Sequence, residues 1–486
     1  MELIFPSELL DLASERLGGC VLAANDDFFA EKENLIKAAE PVFIAGKYTD
    51  RGKWMDGWES RRKRVPGYDW AIVRLGAPGV VKRVAVDTSF FTGNYPEHCS
   101  IEGCEAPVNA RFEQLDSWIE LLPKSSLQGD TKNTFEVGLH RRFTHVRLNI
   151  FPDGGIARLR VFGTVLPDWK KFGTEVDLAA AESGGLVVES SDRHYGNPMN
   201  LIMPGRAADM SDGWETRRRR GPGHDWAELR LAAEGIVRRI EVDTSHFKGN
   251  YPDSCSLEVS DTGEEGSWRE LLPQTKLQAH TQHVFRKELS DAEPLPARFA
   301  RFNIFPDGGV SRLRLFGSLT ETGRIEAGLH ALNAAGAHAA TQDFLRCCGS
   351  TSWATRMADV RPFSNIDELE EAAERVWALC SREDWLEAFA AHPKIGQRSE
   401  GQWPRQEQAQ ASDTTPEIQA AMARANQQYE AKFGYIFIIC ASGKTAPEIL
   451  ENLEQRPAHD PDNEIYHAAE QQQLITHLRL RKLLSE

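Results

Sequence analysis

Nothing in this 486-residue sequence approaches the roughly 20 consecutive apolar residues of a membrane-spanning helix. The start, Met1-Glu2-Leu3-Ile4-Phe5-Pro6-Ser7, has neither a basic n-region nor a long apolar core, so no secretory signal is expected. Cysteine is sparse and scattered. Cys20, Cys99, Cys104, Cys255, Cys347, Cys348, Cys380 and Cys440 form no Cys-x-x-Cys pair, which leaves a zinc ribbon or a thioredoxin motif unsupported. Free thiols in a soluble, reduced, cytoplasmic protein are the expectation. Positive charge is also short overall. A formal charge of −15 argues against sequence-independent binding to nucleic-acid phosphates, and no membrane partner is expected either.

What is present is present twice. Asp56-Gly57-Trp58-Glu59-Ser60-Arg61-Arg62-Lys63-Arg64 matches Asp212-Gly213-Trp214-Glu215-Thr216-Arg217-Arg218-Arg219-Arg220. Asp87-Thr88-Ser89, then Gly93-Asn94-Tyr95-Pro96, match Asp243-Thr244-Ser245, then Gly249-Asn250-Tyr251-Pro252. Asn149-Ile150-Phe151-Pro152-Asp153-Gly154-Gly155 matches Asn303-Ile304-Phe305-Pro306-Asp307-Gly308-Gly309. One order at nearly one offset means a duplicated domain, with a period too long for a solenoid. At roughly 150 residues per domain the length suggests about three domains. Their expected spans are 1–165, 166–320 and 326–486.

Residues 7–19 read as a short helix with Ser7 as N-cap and Gly18-Gly19 as the stop. Residues 40–165 read as strands. Val80, Val81, Val84 and Val86 form a β-branched run, and Val146, Leu148 and Ile150 alternate with Arg147 and Asn149. Gly-Pro and Asp-Gly-Gly clusters read as turns. Two tandem all-β sandwiches follow. From 326 the composition turns to Ala, Glu, Gln and Leu. Helical spacing covers 367–391, with Leu369, Ala372, Val376 and Leu379 on one stripe, then 416–432 and 464–484. The run 435–440 reads as a strand by propensity or as the buried part of a helix. The tail is taken as all-helical, joined through a polar, flexible linker at 318–330.

In the repeated half the residues that carry chemistry are Glu59, Arg61, Arg62, Asp87 and Asn94, with Glu215, Arg217, Arg218, Asp243, His246 and Asn250 in the second copy. Arginine holds a carboxylate in a planar fork, and Asp, Glu and Asn bind amide or ureido groups. That set suits a small anion with urea-like arms. The plain reading is solvated arginines and recurring turns. His246 stands where the first copy has Phe90, and His224 where it has Tyr68; either is a proton carrier or a hydrogen-bonded surface residue. His280 and His283 form a His-x-x-His without a third ligand in view, so no metal is assigned.

These strings, with Asp11-Leu12-Ala13-Ser14-Glu15-Arg16-Leu17-Gly18-Gly19, resemble the allantoicase family over about 1–320. The resemblance implies a tandem pair of jelly rolls that hydrolyses allantoate to ureidoglycolate and urea. In the tail, His392-Pro393, Trp403 to Gln408, 433–440 and Arg479-Leu480 resemble, in that order, 2-oxo-4-hydroxy-4-carboxy-5-ureidoimidazoline (OHCU) decarboxylase. That family is all-helical, uses no cofactor and makes (S)-allantoin. The resemblance implies His392 as catalytic acid/base with Glu407 and Arg479 beside it. Pro393, Pro404, Arg405, Gln406, Gln408 and the backbone of Ile436, Phe437, Ile438, Ile439 and Cys440 would line the substrate. One departure is Pro404, where the family commonly has Ser. The expected partners are small ureides, allantoate and OHCU, with a homo-oligomer left open. The competing class is a binding protein: jelly rolls that hold a ureide or sugar without turnover, and a helical domain for oligomerisation.

Overall fold

The computed structural model describes residues 9–290, 295–393 and 415–486. The chain divides after Gly323 into two compact units.

In the first repeat the strands are Leu10–Asp11 (β1), Cys20–Ala24 (β2), Asp69–Asp87 (β3), His98–Cys104 (β4), Ile119–Ser126 (β5), Lys132–Glu136 (β6), Arg142–Phe151 (β7) and Arg158–Val165 (β8). Their hydrogen-bonded order is β1-β8-β3-β7-β4-β5, with β2 and β6 also on β3. At 19 residues β3 is too long for one flat strand. Its start pairs with β2 and β7, where Val73 faces Val146. Its end pairs with β8 and β6, where Val84 faces Val161 and Phe135. One strand thus serves both layers of a sandwich and turns the corner through Gly76-Ala77-Pro78-Gly79. A Cβ on Gly79 would lie 2.4 Å from the Thr164 carbonyl oxygen, which is why the corner needs glycine there. Trp58, Val73, Val84, Phe143, Val146, Leu148 and Ile150 fill the space between the layers, all fully buried.

The second repeat reproduces this plan. Its strands are Val176–Asp177 (β9), Leu186–Ser190 (β10), Asp225–Asp243 (β11), Ser254–Ser260 (β12), Arg269–Lys276 (β13), Gln282–Phe285 (β14), Ala297–Phe305 (β15) and Arg312–Leu319 (β16). Their order is β9-β16-β11-β15-β12-β13, with β10 and β14 on β11. Both are antiparallel jelly-roll sandwiches, and one contiguous apolar cluster runs through the pair.

The helices of the second unit are Glu321–Ala334 (α1), Ala337–Cys347 (α2), Thr351–Asp359 (α3), Ile366–Ala378 (α4), Arg382–Ala390 (α5), Pro416–Phe433 (α6), Ala446–Gln455 (α7) and Pro461–Ser485 (α8). Trp353, Phe344, Phe389, Leu369 and Tyr429 are fully buried among them.

Four local expectations are corrected. Residues 7–19, where described, are not a helix: β1 pairs with β8, and Glu15–Leu17 is a 3-10 turn. The Asp11 carboxylate accepts from Ala13 N at 3.2 Å and Val161 N at 3.0 Å, and that local bonding competes with helix. The 318–330 stretch is no flexible linker. It passes from β16 into α1, and Thr320 Oγ1 donates to Glu234 at 2.6 Å and accepts from Gly323 N at 3.0 Å. The 367–391 stretch is two helices, because Ser381 and Asp384 form a capping box that starts α5. Leu379 therefore leaves the stripe and is 71% exposed. Residues 436–440 are neither strand nor helix but extended chain without a ladder. All eight cysteines are free, Cys20 half-buried and the others buried.

Candidate functional sites

Each matched Trp-Glu pair is a two-residue strand, Trp58–Glu59 or Trp214–Glu215, set against the second glycine of the Asp-Gly-Gly string. A Cβ on Gly155 would lie 1.9 Å from the Phe91 ring, and one on Gly309 would lie 2.0 Å from Phe247, so only glycine lets the strands meet. Glu59 accepts from Asn94 Nδ2 at 2.7 Å; Glu215 accepts from Asn250 Nδ2 at 2.5 Å. Burial raises the Glu59 carboxyl above the ordinary range, against the Asn94 hydrogen bond.

The arginines do not converge on that pair. Arg61 Nε donates to Asp26 at 2.7 Å, and Arg217 Nε to Asp192 at 2.9 Å, while Arg62 and Arg218 are exposed. Asp26 and Asp192 also accept the backbone N–H of their arginine, and their main-chain oxygens accept the indole N–H of Trp58 and Trp214. Burial opposes ionisation of both aspartates, yet the hydrogen bonds together hold each carboxyl below the ordinary range. Sequence reading missed both, since they lie outside the long matched strings; the signal was an Asp-x-aromatic or Asp-x-His step after β2 and β10. The Asp56 and Asp212 carboxylates are structural. Buried Arg158 reaches Asp56 at 2.8 Å and buried Arg312 reaches Asp212 at 2.9 Å.

The histidines of the second copy are tied down. His246 and Phe90 share left-handed backbone, at φ 72 and 68. His246 Nε2 faces the Ala207 carbonyl at 3.0 Å and so carries the proton, and its N–H donates to His280 Nδ1 at 2.7 Å. In the first copy Phe90 N donates instead to Asp130. His283 accepts from Gln278 N at 2.8 Å, the place Asn133 fills for Gln128. His224 Nε2 lies 3.3 Å from Asn303 Oδ1. Among the described residues no group of three or more His, Cys, Asp or Glu is arranged to hold a metal.

Asp87 and Asp243 are at the ends of β3 and β11, each accepting the N–H two residues on at 2.8 Å. Arg206 approaches Asp243 at 3.9 Å. Asp87 is on the wall of a cavity of about 390 Å³ between the repeats. Its other walls include Asp11, Arg160 and Lys132 of the first repeat and Met199 and Asn200 of the second.

In the helical unit His392 follows α5 and donates its N–H to Phe389 O at 3.1 Å. Arg479 sits on α8 and is 7% exposed. Gly349 abuts Ala391, beside His392, and the Arg479 charge acts on Cys347 and Cys348, whose thiols burial pushes well up. Sequence reading missed Gln472 and Thr476, buried on α8 and hydrogen-bonded to each other at 3.2 Å. Their signal was polar residues at 472, 476 and 479, one face of a helix.

The 436–440 backbone is largely engaged. Ile438 O accepts from Arg456 at 2.6 Å, Cys440 N donates to Gln471 at 3.1 Å, and Cys440 O accepts from Lys444 at 3.0 Å. Arg456 is held by Glu464, fully buried, which also bonds Tyr429 and His459. Phe437 packs its ring on Tyr429 and Arg456. Ile436 is half-buried and Ile439 buried; Pro393 is half-buried beside His392. Pro404, Arg405, Gln406, Glu407 and Gln408 lie outside the described residues.

Comparison with known proteins agrees with this division. The allantoicase-repeat family model matches residues 10–166 and 176–320. The OHCU decarboxylase family model matches residues 333–481. A probable allantoicase 1 of Burkholderia mallei is 48% identical over 326 residues, 65% of this chain and 96% of that protein. An allantoicase of Dictyostelium discoideum is 48% identical over 331 residues, 65% of this chain and 89% of that one. The crystal structure of allantoicase from Saccharomyces cerevisiae superposes with a TM-score of 0.56 at 36% identity, covering 64% of this chain and 93% of that one.

Proposed function

The chain belongs to the allantoicase family, and from that membership and the helical domain behind it we propose a bifunctional enzyme of ureide degradation. The β half hydrolyses allantoate with water to ureidoglycolate and urea. The helical half decarboxylates OHCU to (S)-allantoin. The observation that carries the reading is the joint match, both repeats to allantoicase and the remainder to OHCU decarboxylase.

Hydrolysis at the aminal carbon needs a proton on the departing urea nitrogen and hydroxide delivered to carbon. A carboxyl with a raised pKa holds its proton closer to neutral pH and serves as the acid. Glu59, half-buried and steadied by Asn94, has that character; Glu215 and Asn250 are its counterparts. Arg61, Arg62, Arg217 and Arg218 offer positive charge to the substrate carboxylate nearby.

Loss of CO2 leaves an electron pair that the adjacent ring system takes up and a proton must then quench. A buried guanidinium facing the ring stabilises that charge more in the transition state than in the ground state. Arg479 is assigned this role, His392 the proton, and Glu407 the support of His392. The two reactions are not consecutive: ring opening of allantoin, by a hydrolase acting between them, separates product from substrate. Urea release from allantoate tests the first activity. The early optical activity of allantoin from freshly generated OHCU tests the second, because spontaneous decay gives a racemate. Absence of either signal removes the corresponding half.

A further inference from the structure

The first repeat carries a stretch that the second lacks. From the aspartate that holds the arginine to the start of the matched string, it runs from Asp26 to Asp56, against Asp192 to Asp212, and is ten residues longer. Within that stretch Tyr48–Thr49 and Gly52–Lys53 pair as a small hairpin, Tyr48 opposite Lys53 and Thr49 opposite Gly52. Gly52 takes φ 133 to close it.

Two chains of contact join this hairpin to the Glu59–Asn94 pair. Gly52 abuts the Phe29 ring, which a Cβ there would approach to 3.9 Å, and Phe29 N donates to Glu59 O at 3.1 Å. Lys53 Nζ stands 4.6 Å from the centroid of the Phe43 ring. Phe43 in turn stacks at 5.9 Å on Phe90, in the loop that carries Asn94. Burial holds the Glu59 carboxyl up; against it act the Asn94 hydrogen bond and, alone among the cations, the Lys53 charge. Arg61 is turned elsewhere, its Nε on Asp26 and its guanidinium over Phe28 at 5.2 Å. An ammonium on an aromatic face keeps N–H donors for a further acceptor. Lys53 and Asn94 are exposed and Glu59 is half-buried, so the group stands at the surface. The second repeat has no such hairpin. Between Asn197 and Ser211 its one basic residue is Arg206, which stands 3.9 Å from a different carboxylate, Asp243.

In allantoate the carboxylate is bonded to the carbon that loses urea. A site that protonates the leaving nitrogen therefore meets an anion close beside its acid, and a cation at that place binds it. We propose that Lys53 holds the substrate carboxylate at the Glu59–Asn94 site and makes the first repeat selective for anionic ureides. The substrate rests on the enzymatic reading above; the placement of the hairpin does not. With the substrate anion set against it, the Lys53 charge no longer draws the proton from Glu59, so binding itself favours the protonated acid.

The test is steady-state urea release by the intact chain carrying Glu215→Gln, which leaves the first-repeat site to act. Adding Lys53→Met should raise KM for allantoate about 10-fold, the equivalent of one lost hydrogen bond to a charged group, with the effect in KM rather than kcat. Lys53→Arg should restore most of the loss. The uncharged amide, diureidoacetamide, should give the same KM with and without Lys53. An unchanged KM for allantoate overturns the proposal, as does an equal rise for the amide, the mark of a distorted site. No urea from the Glu215→Gln chain, while the parent releases it, overturns it as well. If the parent itself releases no urea, the enzymatic reading fails and calorimetry with N-carbamoylglycine decides the site. Binding that Lys53→Met weakens about 10-fold leaves the anion site standing; no binding, or binding that ignores Lys53, removes it.

Discussion

The β half holds its polar clusters twice, and the helical half holds its own once. The Glu59–Asn94 and Glu215–Asn250 pairs, the Asp26–Arg61 and Asp192–Arg217 pairs and the two buried braces Arg158–Asp56 and Arg312–Asp212 repeat in the same arrangement. What recurs belongs to both repeats alike, and what differs, such as His246 for Phe90, is free to specialise. The helical half has no internal copy. Its Arg479, Gln472 and Thr476 stand buried on one helix.

The largest effect expected from that contrast is at His392. His392→Asn should lower formation of (S)-allantoin by about 10²–10⁴-fold, the usual worth of a general acid or base. Optical rotation during the first turnovers reads it, and a parent-like rate removes the role.

Next comes Glu464→Gln, which leaves Arg456 buried without its carboxylate. Breaking such a pair typically costs about 3–5 kcal/mol. The helical unit should unfold at lower denaturant while the β unit keeps its transition. One unshifted transition for both would show that the Glu464 cluster does not hold the 436–440 segment.

A smaller effect is expected in the β half with pH. Burial pushes the Asp177 carboxyl up to about 6, with Arg314 pulling the other way. A carboxyl raised in the folded state binds its proton more tightly there than in the unfolded chain. Its contribution to stability is therefore full below about pH 4 and lost as pH rises toward 6, by up to about 3 kcal/mol for two units. Asp177→Asn, which can still accept from Ala179 and Leu315, should flatten that decline in denaturation curves between pH 4 and 7. An unchanged slope assigns the pH dependence to other groups.

The smallest effect is at the arginines, because they come in two copies. Arg217→Lys keeps charge but not the Nε–H that Asp192 accepts. The single change, or Arg61→Lys alone, should raise KM for allantoate only a few-fold, and the double change about 10-fold. A single change as severe as the double would mean that one repeat does the work.

Much of this was legible in the sequence. The matched strings gave the duplication, and alternation at 146–150 gave β7, because both depend on local pattern. The rest depends on distant partners. The Gly76-Ala77-Pro78-Gly79 corner reads as a turn, yet backbone pairing on both sides keeps β3 continuous. The 435–440 run has strand propensity, but Arg456, Gln471 and Lys444 satisfy its backbone in place of a neighbouring strand. Asp26, which holds the Nε of Arg61, is far away in sequence.

The central claim is that one chain carries two chemistries that do not depend on each other. The direct test is the initial rate of urea release from allantoate by the intact His392→Asn chain, measured beside the parent. The account predicts equal rates while (S)-allantoin formation collapses. Urea release that falls with it, in a variant with a parent-like melting curve, would contradict the division.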